Sequence, residues 1–215
     1  MNGNWELTPQ KFLNTHELAA LLNKAEELWV LGLAKKSKTK IREAVILKVA
    51  MGTGLRRAEL CDLRVADLSI GPGASFLTVR NGKGGKQRVV HFGRDLKTFL
   101  KQYLKWKADH GELTPDSYLL RTKKSEKYSV SALWRRWKHY CPKKLHSARH
   151  SFGTYLYQST KDIRLCQKML GHSSLSTTAI YSDCPPEVIA AGMENFERLT
   201  KALRKCTPVP AEQLA

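Results

Sequence analysis

The chain has 215 residues, a length that suits one domain, and 42% of them are hydrophobic, enough for a real core. Lys and Arg number 37 against 19 Asp and Glu, a formal charge of +18 that favours a polyanionic partner. No apolar run approaches a membrane span, no signal peptide opens the chain, and the basic residues are spread along it rather than gathered on one amphipathic helix, so a membrane partner is disfavoured.

Residues 1–14 read as a polar lead-in. Asn14 with Glu17 resembles a capping box, and Leu18, Leu21, Leu22, Ala25 and Leu28 mark the amphipathic helix that follows. After a basic patch from Lys35 to Lys40 comes a helix apolar nearly all round, including Ile41, Val45 and Val49, and expected to be central and buried. Gly52-Thr53-Gly54 breaks it, and a new helix is predicted from Leu55 to near Leu63. Asp67 to Ser69 reads as a short strand, and Phe76–Arg80 with Gln87–Phe92 as a hairpin whose glycine-rich tip carries Lys83.

Leu96, Phe99, Leu100, Tyr103 and Leu104 give a further helical stripe, and Tyr118–Leu120 a short extended piece. A basic loop follows, then a helix on Val130, Leu133, Trp134 and Trp137 that Pro142 ends. A helix opens at Leu145 with Ala148, Phe152, Tyr155 and Leu156 on its core stripe. The next covers Asp162 to Leu170, with Ile163, Cys166, Met169 and Leu170 expected inward and Gly171 as its stop. Ser173 or Ser174 is placed to cap the segment bearing Tyr181. A final helix starts at Pro185-Pro186 with Ile189, Met193, Phe196 and Leu203 on its apolar face, and residues 206–215 form a loose tail. The sum is a mainly α domain with a small antiparallel β-sheet (α+β).

The five cysteines (Cys61, Cys141, Cys166, Cys184, Cys206) have no paired spacing and fit free thiols in a reducing cytoplasm. Cys141, His146 and His150 are only loosely ligand-like, and Gly82-Lys83-Gly84-Gly85 lacks the spacing of a nucleotide cradle, so neither metal nor cofactor is expected.

The order of cations from Leu145 to Tyr181 points to a phosphodiester. Guanidinium groups suit the oxygens of a five-coordinate phosphorus better than an ammonium does. Arg56 and Arg149 are the candidates, although singly each reads as a surface arginine of a basic protein. His146 and Arg149 share one helix face, offset from the core stripe, so both heads could enter a cleft; His150 is a rival on the solvent side. Lys83, exposed at its hairpin tip, could donate a proton to a leaving oxygen, with Lys86 and Arg88 as rivals or phosphate contacts. His172 is either a helix-capping cation or part of the site. Tyr181 is either a core residue or a nucleophile, which at neutral pH needs cations or a base nearby.

Five boxes in order then become specific: Thr53-Gly54-Leu55-Arg56-Arg57-Ala58-Glu59-Leu60, Gly82-Lys83-Gly84-Gly85-Lys86-Gln87-Arg88, His146-x-x-Arg149-His150, Leu170-Gly171-His172-Ser173, and Thr177-Thr178-Ala179-Ile180-Tyr181. Together they resemble the catalytic domain of the tyrosine recombinases, the phage-integrase and Xer-type enzymes. The resemblance implies that Arg56 and Arg149 clamp the scissile phosphate and that Glu59 supports the first of them. Lys83 would protonate the leaving 5′ oxygen, His146 would assist proton transfer, His172 would hydrogen-bond the phosphate, and Tyr181 would form a 3′-phosphotyrosine. It also implies a metal-free, energy-neutral transesterification.

Ala148 departs from the leucine usual before the second arginine, a packing change on the core side. Too few residues precede Arg56 for the family's separate core-binding domain, so the chain is expected to be a single catalytic domain, naturally minimal or part of a longer protein. The expected partner is double-stranded DNA, contacted on charge alone by Arg57, Lys86, Arg88, Lys123, Lys124, Arg135 and Arg136, with a homo-tetramer on DNA and a cytoplasmic, nucleoid-associated location. The final helix is expected to dock on a neighbouring protomer or on its own domain. Relaxation of the type IB topoisomerase kind, and a DNA-binding module without catalysis, are the alternatives to strand exchange.

Overall fold

The computed structural model describes residues 12–82, 85–171 and 186–206. Helix α1 (Thr15–Ala34) starts at the expected capping box: the Asn14 side chain accepts from the Glu17 amide at 2.8 Å, and the Glu17 carboxylate accepts from the Asn14 amide at 2.8 Å. The lead-in is not wholly polar padding. Leu13 is buried, its amide donates to the Ser151 hydroxyl at 2.6 Å, and its carbonyl accepts from Tyr155 at 3.2 Å.

Helix α2 (Lys38–Thr53) is the central element, buried at every position from Ile41 to Met51. Its charged members are tolerated there because each is paired. Arg42 forks onto Glu112 at 2.9 Å, Glu43 accepts from Arg136 at 2.9 Å and Tyr140 at 2.6 Å, and Lys48 pairs with Glu26. Gly54 ends α2 in the left-handed conformation at φ 60°. Helix α3 (Arg57–Asp62) begins two residues later than predicted, because Leu55 and Arg56 bridge the break and Arg56 takes the extended N-cap conformation.

Three short strands follow, β1 (Leu68–Ser69), β2 (Ser75–Val79) and β3 (Arg88–Phe92), in the antiparallel order β1-β2-β3. Leu77 stands opposite both Leu68 and Val90, which fixes the buried face. Asp67, expected in the first strand, instead closes a 3-10 turn and pairs with Arg80 at 2.5 Å. The Tyr118 piece reduces to a single bridge to Arg64.

Helices α4 (Arg94–Asp109), α5 (Val130–Tyr140) and α6 (Leu145–Thr160) pack around α2. Helix α7 (Ile163–Leu170) is capped by Asp162, and α8 (Pro186–Cys206) lies against α1 and α6. One expectation on α7 needs correction, and one on α8 is narrowed. Ile163 is 56% exposed rather than inward, and Leu165 takes its place on the buried face, because Ile163 sits in the first turn at the edge of the stripe. On α8, Met193 and Phe196 are buried within the chain, Phe196 meeting the Phe152 ring at 5.3 Å, so this part of the face is occupied by its own domain. Ile189, Ser173, Ser174 and the segment bearing Tyr181 fall outside the residues whose side chains are described. Among the described residues no helix is long and apolar enough to cross a membrane.

Candidate active site

The site is built where the chain breaks after α2, at the start of α6 and at the end of α7. Gly54 approaches α6 so closely that a Cβ there would stand 2.7 Å from the Phe152 ring. This brings the Gly54 carbonyl to the Arg149 guanidinium, which donates to it at 2.9 Å. A second Arg149 nitrogen donates to the Leu170 carbonyl. Arg149 is only 2% exposed, so it is not the surface arginine that the residue taken singly suggested. It forms the floor of the site, and His146 is exposed above it.

Arg56 reaches the same place from the other side of the break. It donates to Glu59 at 2.9 Å and to the Gly171 carbonyl at 3.4 Å. Arg88 crosses from β3, forks onto both oxygens of Glu59 at 2.7 and 2.8 Å, and donates to the Met169 carbonyl at 3.4 Å. Three successive carbonyls at the C-terminus of α7, of Met169, Leu170 and Gly171, thus each receive one guanidinium. These are carbonyls that a helix end leaves without internal partners and with partial negative charge, so cations gather there.

Among the described residues, Glu59 is the carboxylate that bonds Arg56 and Arg88. Burial alone would raise its pKa; the hydrogen bonds from Arg88 and the Arg56 amide, the positive charge of Arg88 and the Arg56 side-chain hydrogen bond reverse this and hold it at about 2. Arg56, Arg88 and Arg149 against one Glu59 leave a net charge of 3 − 1 = +2. That charge reaches His146. Partial burial, then Arg149 and Arg56, push its pKa below the ordinary value, which keeps the ring neutral and able to accept a proton. The His150 ring packs edge-on at 4.4 Å.

Beside His146 and Arg56 opens a cavity of about 570 Å³ with Leu55, Val130, Trp134 and Leu145 in its walls and Arg57 and Lys144 at its edge. The exposed Arg57 lies over the Trp134 ring at 5.8 Å. A larger groove of about 1000 Å³ runs between the start of α2, the basic loop and α5, lined by Lys40, Lys123, Lys124, Lys127, Arg135 and Arg136. Among the described residues no group of three metal-ligating side chains converges.

The structure therefore brings together Arg56, Glu59, His146 and Arg149. Lys83, His172 and Tyr181 lie outside the described residues. Lys86 is exposed on the hairpin, whereas Arg88, grouped with it as a DNA contact, has a side chain only 11% exposed and turned onto Glu59. The signal was present in the strand: Arg88 shares its alternate face with the buried Val90 and Phe92.

This mainly helical fold with its small antiparallel sheet is that of a tyrosine recombinase catalytic domain. The XerH recombinase in a pre-cleavage complex with its difH substrate superposes with a TM-score of 0.63 at 25% identity, over 93% of this chain and 55% of that one. The XerA recombinase structure superposes at 0.62 and 26% identity, over 93% and 66%. The chain belongs to the phage integrase family, which it matches over residues 11–186. Tyrosine recombinase XerA of Pyrococcus furiosus is 42% identical over 153 residues, 67% of this chain and 51% of that protein. XerA of Pyrococcus horikoshii is 38% identical over 171 residues, 76% and 58%. The chain thus spans a little over half the length of these relatives.

Proposed function

We propose that the chain is the catalytic domain of a site-specific DNA recombinase that works through a 3′-phosphotyrosine. Arg56 and Arg149 hold the non-bridging oxygens of a phosphodiester. The phenolic oxygen of Tyr181 attacks phosphorus as its proton passes to neutral His146. The P–O5′ bond breaks, Lys83 protonates the leaving oxygen, and His172 supports the phosphate. A 5′-hydroxyl from a second strand then reverses the step, so the bond count is unchanged and no metal or nucleotide is required. The roles of Lys83, His172 and Tyr181 come from the family resemblance. The observation that carries the reading is the pair Arg56 and Arg149, each anchored on a carbonyl at the end of α7, with His146 close enough for both to lower its pKa.

The partner is double-stranded DNA in the cytoplasm, gripped through Arg57, Lys86 and the groove cations Lys123, Lys124 and Arg135, with Arg136 committed to Glu43 instead. Four copies would act on two paired sites. The named substrate of XerH and the family match support this reading.

The test is capture from a pool of nicked duplexes with randomised sequence, denatured in SDS. Wild-type protein should retain a covalent DNA adduct, and Tyr181→Phe should not. An adduct that survives in the variant sinks the nucleophile assignment. Adduct formation without joining of strands from two duplexes would mark a relaxing enzyme instead.

A further inference from the structure

We infer that Arg88 is a positioning residue of this site: it is the counter-ion of Glu59, and so lets Glu59 orient Arg56 without neutralising it. The inference rests on the phosphodiester reading above, and concerns a residue that touches no reacting atom.

Glu59 accepts four hydrogen bonds. The Arg56 amide gives one at 2.8 Å, the Arg56 guanidinium one at 2.9 Å, and Arg88 two at 2.7 and 2.8 Å. A carboxylate offers about four lone-pair sites, so this one is saturated. The two bonds from Arg88 are the parallel fork, the geometry that binds a carboxylate most firmly. Arg56 has only a single side-chain bond, a guide rather than a clamp. In charge, Arg88 cancels Glu59 and leaves Arg56 and Arg149 uncompensated. Without Arg88, the countercharge bonded to a carboxylate whose side chain is 3% exposed would, among the described residues, be Arg56 itself. An incoming phosphate would then compete with Glu59 for that guanidinium.

Arg88 is itself fixed at its far side. Its Nε donates to the Met169 carbonyl, and its stem passes against Gly171, where a Cβ would stand 2.5 Å from Arg88 Cδ. One side chain thereby joins β3, the start of α3 and the end of α7, beside the α6 residues His146 and Arg149. Its spacing on β3 places it on the same face as the buried Val90 and Phe92.

Two measurements on Arg88→Gln and Arg88→Lys decide the matter. The first needs no DNA: nitrogen relaxation of the Arg56 side chain, assigned by its loss in Arg56→Lys. Arg56 should be ordered in wild type, mobile in Arg88→Gln, and intermediate in Arg88→Lys, which keeps the charge but loses the fork. The second is adduct formation on the captured duplexes at saturating DNA. Arg88→Gln should slow it about 10- to 100-fold while affinity stays within about threefold, because misplacement of a clamp costs rate rather than grip. Loss of affinity with an unchanged saturated rate, or an Arg56 as ordered as in wild type, overturns the inference. Should Arg88→Gln fail to fold, Glu59→Gln with Arg88→Gln removes both charges and leaves none orphaned. Wild-type rate in that double variant would equally overturn it. If wild type forms no adduct at all, the strand-transfer reading falls, and the relaxation experiment still decides whether Arg88 holds Arg56.

Discussion

A Cβ on Gly171 would stand 2.5 Å from Cδ of Arg88, and Gly171 holds φ at 63°. The residue that ends α7 is therefore constrained twice, by its left-handed backbone and by the side chain that passes it. Gly73 supplies the contrast, with φ at 82° and nothing within 4 Å of its would-be Cβ. Gly73→Ala should cost only the backbone penalty, about 1 kcal/mol, while Gly171→Ala should cost about 2 kcal/mol or more because Arg88 must also move. Urea unfolding of the two variants measures the difference. Equal losses would mean that Arg88 yields freely.

The Glu59 carboxyl, at about 2 in the folded chain against an ordinary 4.5, couples stability to acid. A folded pKa below the unfolded one means that the stabilisation is complete above about pH 4.5 and disappears as the pH falls toward 2. At about 1.4 kcal/mol per pH unit, the coupling amounts to roughly 3 kcal/mol. Glu59→Gln, which resembles the protonated acid, should be less stable than wild type by that order at pH 7, and the gap should narrow steadily as both are unfolded at lower pH. A gap that stays constant down to pH 3 would show that the carboxylate charge is not what holds the arginines.

Much of this arrangement was legible in the sequence, and the failures have a common cause. The capping box at Asn14, the buried α2, the hairpin and the stop at Gly171 are local signals, carried by residues within a turn of one another. Arg56, Glu59, His146 and Arg149 were legible as members of one motif set. What joins them was not. The carbonyls of Gly54, Met169, Leu170 and Gly171 are backbone groups with no side-chain signature, brought in by segments as much as 115 residues apart. The bond from Arg88 to Glu59 has no local signature beyond the alternation of Arg88 with Val90 and Phe92, which its charge masks. Leu13 reads as lead-in from the sequence because its anchors, Ser151 and Tyr155, lie on α6, far along the chain.

His146 should titrate below the ordinary histidine value of 6.5, since partial burial, Arg149 and Arg56 all oppose its protonation. A base whose folded pKa is depressed lends stability above the unfolded pKa and loses it as the pH falls toward the folded value. Proton NMR of the ring should give a midpoint under 6.5, and Arg56→Gln should move it upward by removing one of the two charges. Adduct formation should decline on the same acid limb, because a protonated ring cannot take the proton of Tyr181. A midpoint unmoved by Arg56→Gln would separate His146 from the arginine cluster.

Phe196 on α8 is buried against Phe152 on α6, a contact within one chain. The carboxylate of Glu197 beside it accepts from the Asp95 amide at 2.7 Å, which seats α8 on the first turn of α4. Phe196→Ala should destabilise by about 3 to 5 kcal/mol, as large-to-small changes at buried aromatics do. The loss should be independent of protein concentration. An unfolding midpoint that rises with concentration in wild type, and ceases to in Phe196→Ala, would place the aromatic in an interface between copies instead.

The basic groove predicts unequal roles for two adjacent arginines. Arg136 donates to the buried Glu43 at 2.9 Å, beside the Tyr140 hydroxyl that shares the same carboxylate, whereas Arg135 is exposed at the groove wall with Lys123 and Lys124 near it. Each cation that meets a phosphate releases counterions, so its removal lowers the slope of log affinity against log salt by about 0.9. Lys124→Ala and Arg135→Ala should each show that loss on a short duplex, with unfolding free energy changed by less than about 0.5 kcal/mol. Arg136→Ala should show the reverse pattern. Its charge is already committed to Glu43, so the salt slope should change little, and stability should fall by about 1 kcal/mol, because the buried carboxylate loses its cation but keeps the Tyr140 hydroxyl, and the arginine is half exposed to screening water. Salt-dependent binding and urea unfolding on the same three variants separate the cases. A large slope change in Arg136→Ala with unaltered stability would mean that the Glu43 pair opens when DNA arrives, and that both arginines belong to the DNA face.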